Sequence, residues 1–200
     1  MYRLNILVFL IFFLSSCGDA PPPTPKPRAF PKVEYPEKAY QQFDEDYCAF
    51  TFEYPEYAEV QQDKSFFDEA PPHPCWFDLY FKDFDGRLYC SYAPIENQAD
   101  WEDLRSDAFN LADWHNKKAS YIDEMLIRKD NNVSGVLFLI EGHAASPAQF
   151  YLTDSTNHFL RASLYFNTEV RPDSMAPVYE FLETDLLRMI ETFEWTKQGD

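Results

Sequence analysis

Ser146, Ser155, His143, His158 and Asp154 fall within one short stretch of this 200-residue chain and are the residue types of a serine hydrolase. In such an enzyme a hydroxyl attacks only when an imidazole takes its proton and a carboxylate holds that imidazole. Neither serine sits in a Gly-x-Ser-x-Gly elbow. Ser155 also precedes His158 across what reads as a tight turn, where Asp154 and Ser155 are suited to bonding backbone N–H groups. A hydrolase using Ser155 or Ser146 with His158 is therefore the minor alternative. His73-Pro74-Cys75 and His115 offer metal-ligand types, but no Cys-x-x-Cys or His-x-x-x-His spacing exists, so neither metal nor cofactor is expected. Asp83-Phe84-Asp85-Gly86 has the outline of a calcium loop. Aligning Gly86 with that loop's glycine puts Phe81 at the first ligand position and Tyr92 where a bidentate Glu is needed, which leaves a turn.

The chemistry with the clearest signal is a modification. Leu4 to Leu14 is apolar except for Asn5, follows Arg3 and runs into Leu14-Ser15-Ser16-Cys17. This is the pattern of a lipoprotein signal: residues 1–16 are removed and Cys17 is lipidated. A membrane span would need about 20 apolar residues. Two or more acyl chains at about 0.8 kcal/mol per buried CH2 hold a protein stably at a membrane. Processing removes only Arg3 among the charged residues, leaving 16 Lys+Arg against 34 Asp+Glu, net −18. Such a chain is repelled by nucleic acid and by anionic lipid, so its partners should present basic or aromatic faces, or divalent cations that bridge carboxylates.

Residues 17–46 read as the lipidated cysteine and a tether. Seven of the 15 prolines lie between Pro21 and Pro36, and at about 3.1 Å per residue a polyproline stretch of that length reaches roughly 50 Å. Residues 47–197 are the size of one domain. Phe50 to Pro55, Trp76 to Phe81 and Arg87 to Tyr92 alternate as strands, the last two joined through Asp83 to Gly86, with Gln61 to Pro74 a loop. Trp101, Leu104, Ala108, Leu111, Ala112 and His115 have helical spacing, so residues 100–118 form a helix with Asp100 as a candidate N-cap. Tyr121 to Arg128, Val136 to Glu141, Gln149 to Thr153 and His158 to Phe166 are further strands. Val178, Phe181, Leu182, Leu186, Met189, Ile190 and Phe193 then mark a second helix. Short strand links require an antiparallel sheet, and helices must cover it. The fold class is α+β, and the element order is similar to the PsbP-like α/β/α sandwich.

Outside the cytoplasm Cys48, Cys75 and Cys90 can oxidise. A hairpin through Lys82 to Gly86 places Cys90 opposite Leu79 to Phe81, away from Cys75. That leaves either a Cys48–Cys75 disulfide or three reduced thiols. With 4 Trp, 13 Tyr and 19 Phe, rings must fill much of the core. In the strand from His158, the residues Phe159, Arg161, Ser163 and Tyr165 share one face. Arg161 among rings must pair with a buried carboxylate, the preferred reading, or point outward to a partner, a glycan or a lipid.

The pieces Pro25-Lys26-Pro27-Arg28, Phe52-Glu53-Tyr54-Pro55, Cys75-Trp76-Phe77, Gly142 with Ala144-Ala145-Ser146, Leu152-Thr153-Asp154-Ser155, His158-Phe159-Leu160-Arg161 and Leu164-Tyr165-Phe166-Asn167 resemble the gliding motility lipoprotein GldD family of Bacteroidetes-type bacteria. Asp173-Ser174, Pro177 and Phe193 with Trp195 do so as well. The resemblance implies an envelope lipoprotein needed for gliding, linked with type IX secretion and adhesin movement. It implies an outer-membrane location facing the periplasm, other envelope proteins as partners, and no catalytic activity. Asp154, Ser155, His158 and Arg161 then become a docking or structural cluster.

Overall fold

The computed structural model of the protein describes residues 33–65 and 68–196; the signal segment and Cys17 lie outside them. In chain order the elements are β1 (Tyr40–Phe43), β2 (Phe50–Pro55), β3 (Glu59–Gln62), β4 (Trp76–Phe81), β5 (Gly86–Pro94), α1 (Gln98–Asp113), β6 (Ala119–Lys129), β7 (Val133–Gly142), β8 (Ala148–Thr153), β9 (His158–Phe166), α2 (Pro172–Thr192) and β10 (Glu194–Trp195). Seven strands form one sheet in the order β3-β4-β5-β9-β8-β7-β6, and a small sheet has the order β1-β2-β10. Each pairing is antiparallel, as the short connections demand.

Period-two alternation gives the large sheet two apolar faces. On one, Leu79, Leu88, Leu137, Phe150 and Leu160 meet Val178, Leu182, Leu186 and Met189 of α2 together with Phe43, Phe50 and Phe52 of the small sheet. On the other, Val136, Phe138, Ile140, Tyr151 and Phe159 lie under Ala108 and Ala112 of α1. The result is an α+β protein with the α/β/α layering expected, the small sheet sharing the layer of α2. Helix α1 begins earlier than Asp100, because Asn97 is its cap and accepts the N–H groups of Ala99 and Asp100.

Three expectations need revision. The folded part starts well before residue 47: Phe43 is 1% exposed, stacks 4.6 Å from Phe52 and 4.7 Å from Phe77, and Val33 packs on the same core. The proline-rich composition around Pro36 hid a strand whose identity comes from pairing with β2. The expected loop from Gln61 likewise hides the end of β3, a short polar edge strand paired with β4. Finally, Cys90 pairs with Phe77 and not with Leu79 to Phe81, because pairing resumes directly at Gly86 opposite Phe81. Cys48 and Cys75 are disulfide-bonded with Cα atoms 5.1 Å apart, tying the start of β2 to the start of β4, while Cys90 is a buried free thiol that burial pushes well above its ordinary pKa.

Candidate functional site

The turn Asp154 to Asn157 is held from within. Asp154 Oδ1 accepts backbone N–H groups of Thr156 at 3.0 Å, Asn157 at 2.8 Å and His158 at 2.9 Å. Burial would raise this carboxyl, but the three donors outweigh it and hold it below its ordinary pKa. Ser155 adopts φ 65° and gives its N–H to Thr153 Oγ1. His158 turns away from both: its Nδ1 lies 2.7 Å from the Tyr92 hydroxyl, and its ring stacks 4.9 Å from Trp195. Desolvation in that aromatic setting lowers its pKa against the pull of Asp154. Ser146, fully buried, donates to the Ala148 carbonyl. Among the described residues no hydrogen bond joins either serine to a histidine.

Arg161 lies on the opposite face of β9 from His158. Its expected carboxylate is not there: the guanidinium donates to Gln149 Oε1 at 3.2 Å, and among the described residues it makes no ion pair. Gln149, 2% exposed, passes the contact on through Nε2, 2.8 Å from His115 Nε2. That nitrogen must therefore be unprotonated, and burial followed by the nearby Arg161 charge lowers the His115 pKa. Burial lowers that of Arg161 as well. The sheet places an amide where a carboxylate was expected, because Gln149 and Arg161 stand on neighbouring strands of the same face.

This face continues past α1. Cross-strand pairing sets Gln61, Asp78, Tyr89, Ser163, Gln149 and Phe138 in one transverse row. Arg87 binds Asp78 at 3.1 Å and Gln61 at 2.7 Å, and lies over the Tyr80 ring at 4.1 Å. Burial first, and Asp63 second, push the Asp78 carboxyl up to about 6 against the pull of Arg87. Beside them Tyr89, 46% exposed, meets Tyr165 edge-on at 5.8 Å. A depression of about 420 Å³ is lined by Asp85, Arg87, Tyr89, Tyr165, Phe166 and Asn167. Of these, Asp85 is read from sequence as part of a turn and Tyr165, Phe166 and Asn167 as part of a strand and its end, whereas Arg87 and Tyr89 take no functional role there. The available signal was the polar alternation Arg87-Tyr89-Ser91 within an otherwise apolar strand, and the lone Asp78 inside Trp76 to Phe81.

A second hollow, about 480 Å³, lies between the Gly142–Pro147 turn and the start of α2, with Ala144, Met175 and Tyr179 among its lining. Gly142 has φ +100°, and an added Cβ would come within 2.6 Å of Ser120 N, so this turn requires glycine. Cys75 is consumed in its disulfide, which removes it from metal ligation, and His73 Nδ1 accepts the Cys75 N–H at 3.0 Å. No group of three metal-ligand side chains occurs among the described residues.

The family model for gliding motility lipoprotein GldD matches residues 20–195. The chain belongs to the GldD family. It is thus a gliding motility-related lipoprotein, with the envelope and membrane association that this implies. Among the described residues no helix is long and apolar enough to cross a membrane. Comparison with curated proteins gives no match. A solution structure of cyanobacterial PsbP from Synechocystis is similar at 10% identity, with a TM-score of 0.47 over 80% of this chain and 94% of that one.

Proposed function

We propose that this GldD-family lipoprotein is an accessory or assembly factor of the gliding apparatus, linked to type IX secretion and adhesin movement. Its lipid at Cys17 holds it at the outer membrane facing the periplasm, and it docks other envelope proteins through the part of the outer sheet face beside α1. The supporting observation is the exposed Tyr89 with Tyr165 and Arg87 on that face, since Tyr and Arg are the usual anchors of interfaces. Asp154, Ser155 and His158 are occupied with turn and aromatic contacts. The chain's net charge of −17 fits a partner with a basic or aromatic surface.

The test is complementation of a deletion strain combined with crosslinking pull-down of the tagged lipoprotein from intact envelopes. Deletion abolishes spreading and adhesin secretion, and Ser155→Ala and Ser146→Ala restore both. Tyr89→Ala accumulates normally yet loses the crosslinked partner. A positioned nucleophile carries orders of magnitude in rate, so a folded serine variant that fails to complement would transfer the function to a hydrolase.

A further inference from the structure

The two edges of the large sheet are built differently. At one, β3 has only four residues, the short edge that proteins use to prevent strand-to-strand association. At the other, β6 has eleven residues and among the described residues pairs only with β7. Its register is regular from Tyr121 to Lys129, the sole irregularity falling between Ala119 and Tyr121. The stretch contains no proline, and alongside the exposed Asp123, Glu124 and Arg128 it presents three large apolar side chains: Leu126 is 71% exposed, Tyr121 59% and Met125 46%. Half of its backbone N–H and C=O groups point away from β7, and among the described residues no strand receives them.

We infer that β6 pairs antiparallel with β6 of a second copy of this chain, about a two-fold axis through Leu126. That register sets Leu126 against Leu126 of the partner subunit and Met125 against Ile127 of the partner subunit. Glu124 then faces Arg128 of the partner subunit, once on each side of the axis. Charge selects this register over its neighbours. Centring on Glu124 would oppose two like charges, and centring on Met125 would set Glu124 on Leu126 and Asp123 on Ile127. Glu124 and Arg128 form no ion pair within the chain among the described residues, so both are available. Lys129 closes the usable edge, its ammonium holding the carbonyls of Ile190, Glu191 and Phe193 at 3.1, 2.6 and 2.6 Å. Such an isologous strand pair buries less than the roughly 1,200 Å² of a stable soluble dimer. Copies of a lipoprotein held in one membrane meet at high local concentration, which turns a small contact into a populated one.

Crosslinking of the full-length lipoprotein in isolated envelope membranes tests this pairing. Leu126→Cys places a thiol on the axis, and copper–phenanthroline supplies the oxidant that takes two electrons as two thiols join. A disulfide-linked species of twice the chain mass is expected from Leu126→Cys. Tyr121→Cys, whose copies would lie roughly 33 Å apart in this register, gives none. In the Leu126→Cys background, Glu124→Arg alone and Arg128→Glu alone each lose the linked species, and the two together restore it. A monomer from Leu126→Cys, equal linking from Tyr121→Cys, indifference to charge reversal, or linkage of Leu126→Cys to a different polypeptide would overturn the pairing.

Discussion

Lys38 Nζ lies 2.6 Å from the carboxylate of Asp185, a residue 2% exposed in the middle of α2. The same ammonium donates to the Phe181 carbonyl at 2.7 Å and stands 3.6 Å from the centre of the Phe181 ring. Tyr40 donates to Asp185 at 2.8 Å, and the Tyr57 hydroxyl is bonded to its other oxygen. One acid thus fastens the segment that leads into β1 onto the last helix. Asp185→Ala leaves the half-buried hydroxyls of Tyr40 and Tyr57 without their acceptor and Lys38 with only the Phe181 carbonyl, and should cost about 2–4 kcal/mol. Lys38→Met keeps both tyrosine bonds but leaves the buried Asp185 carboxylate without its cation, and should cost about 3–5 kcal/mol. Thermal melts of the two variants are the measurement; a Lys38→Met loss below about 1 kcal/mol would show that the two tyrosine hydroxyls suffice to hold the charge.

Asp78 makes stability depend on pH in a direction opposite to most carboxylates. Its pKa is about 6 in the folded protein against 3.8 as the ordinary value, so the native state holds the proton more tightly than the unfolded chain. The resulting contribution is fully present below pH 3.8 and is lost as pH rises to about 6. Its size is on the order of 3 kcal/mol at most. Asp78→Asn stays neutral throughout, and its melting midpoint should vary less between those pH values than that of wild type. Identical slopes would mean that the Arg87 contact dominates.

Arg161→Ala removes a half-buried guanidinium without stranding a carboxylate. Gln149 loses one partner, and the cost of desolvating the cation disappears with it. The net loss should be about 1–2 kcal/mol, short of the 3–5 kcal/mol or so typical of breaking a buried ion pair. Calorimetric melts distinguish the two, and Gln149→Ala combined with Arg161→Ala should cost less than the sum of the single changes.

Cys17→Ser should release the protein from the membrane fraction or leave it unprocessed. Its acidic composition offers no attraction to anionic lipid, so on the proposed reading acyl chains on Cys17 would be the attachment. Fractionation after a high-salt wash is the measurement. A processed Cys17→Ser protein still sedimenting with outer membrane would rule the lipid out as the anchor.

Apart from β3 and the two-residue β10, the strands and helices from Phe50 onward were legible because each carries its own period, and Leu160, Ala162 and Leu164 could be assigned to one face of β9 before any partner strand was known. Tyr40–Phe43 and Glu59–Gln62 were not, since four residues hold too little pattern and their structure comes from β2 and β4. The candidate site was hidden for a related reason. Arg161, Gln149 and His115 belong to three elements, and only sheet register plus the docking of α1 brings them into line. Asp154 was readable as a turn former, because its work is local. His158 was not, because Tyr92 and Trp195 reach it from distant parts of the chain.

The small sheet places the first and last strands of the described fold on either side of β2, and Glu53 donates to Thr192 Oγ1 across 139 residues. A chain emerging N-terminus first, from a ribosome or through an export channel, therefore delivers Phe43, Phe50 and Phe52 long before Phe193 and Trp195 arrive to cover them. Closure of that layer is the last event available to it, and long-range closure is slow. Until the end of α2 has passed, the polypeptide remains open enough to thread, and its ring-rich strands remain clients for chaperones on whichever side they have reached.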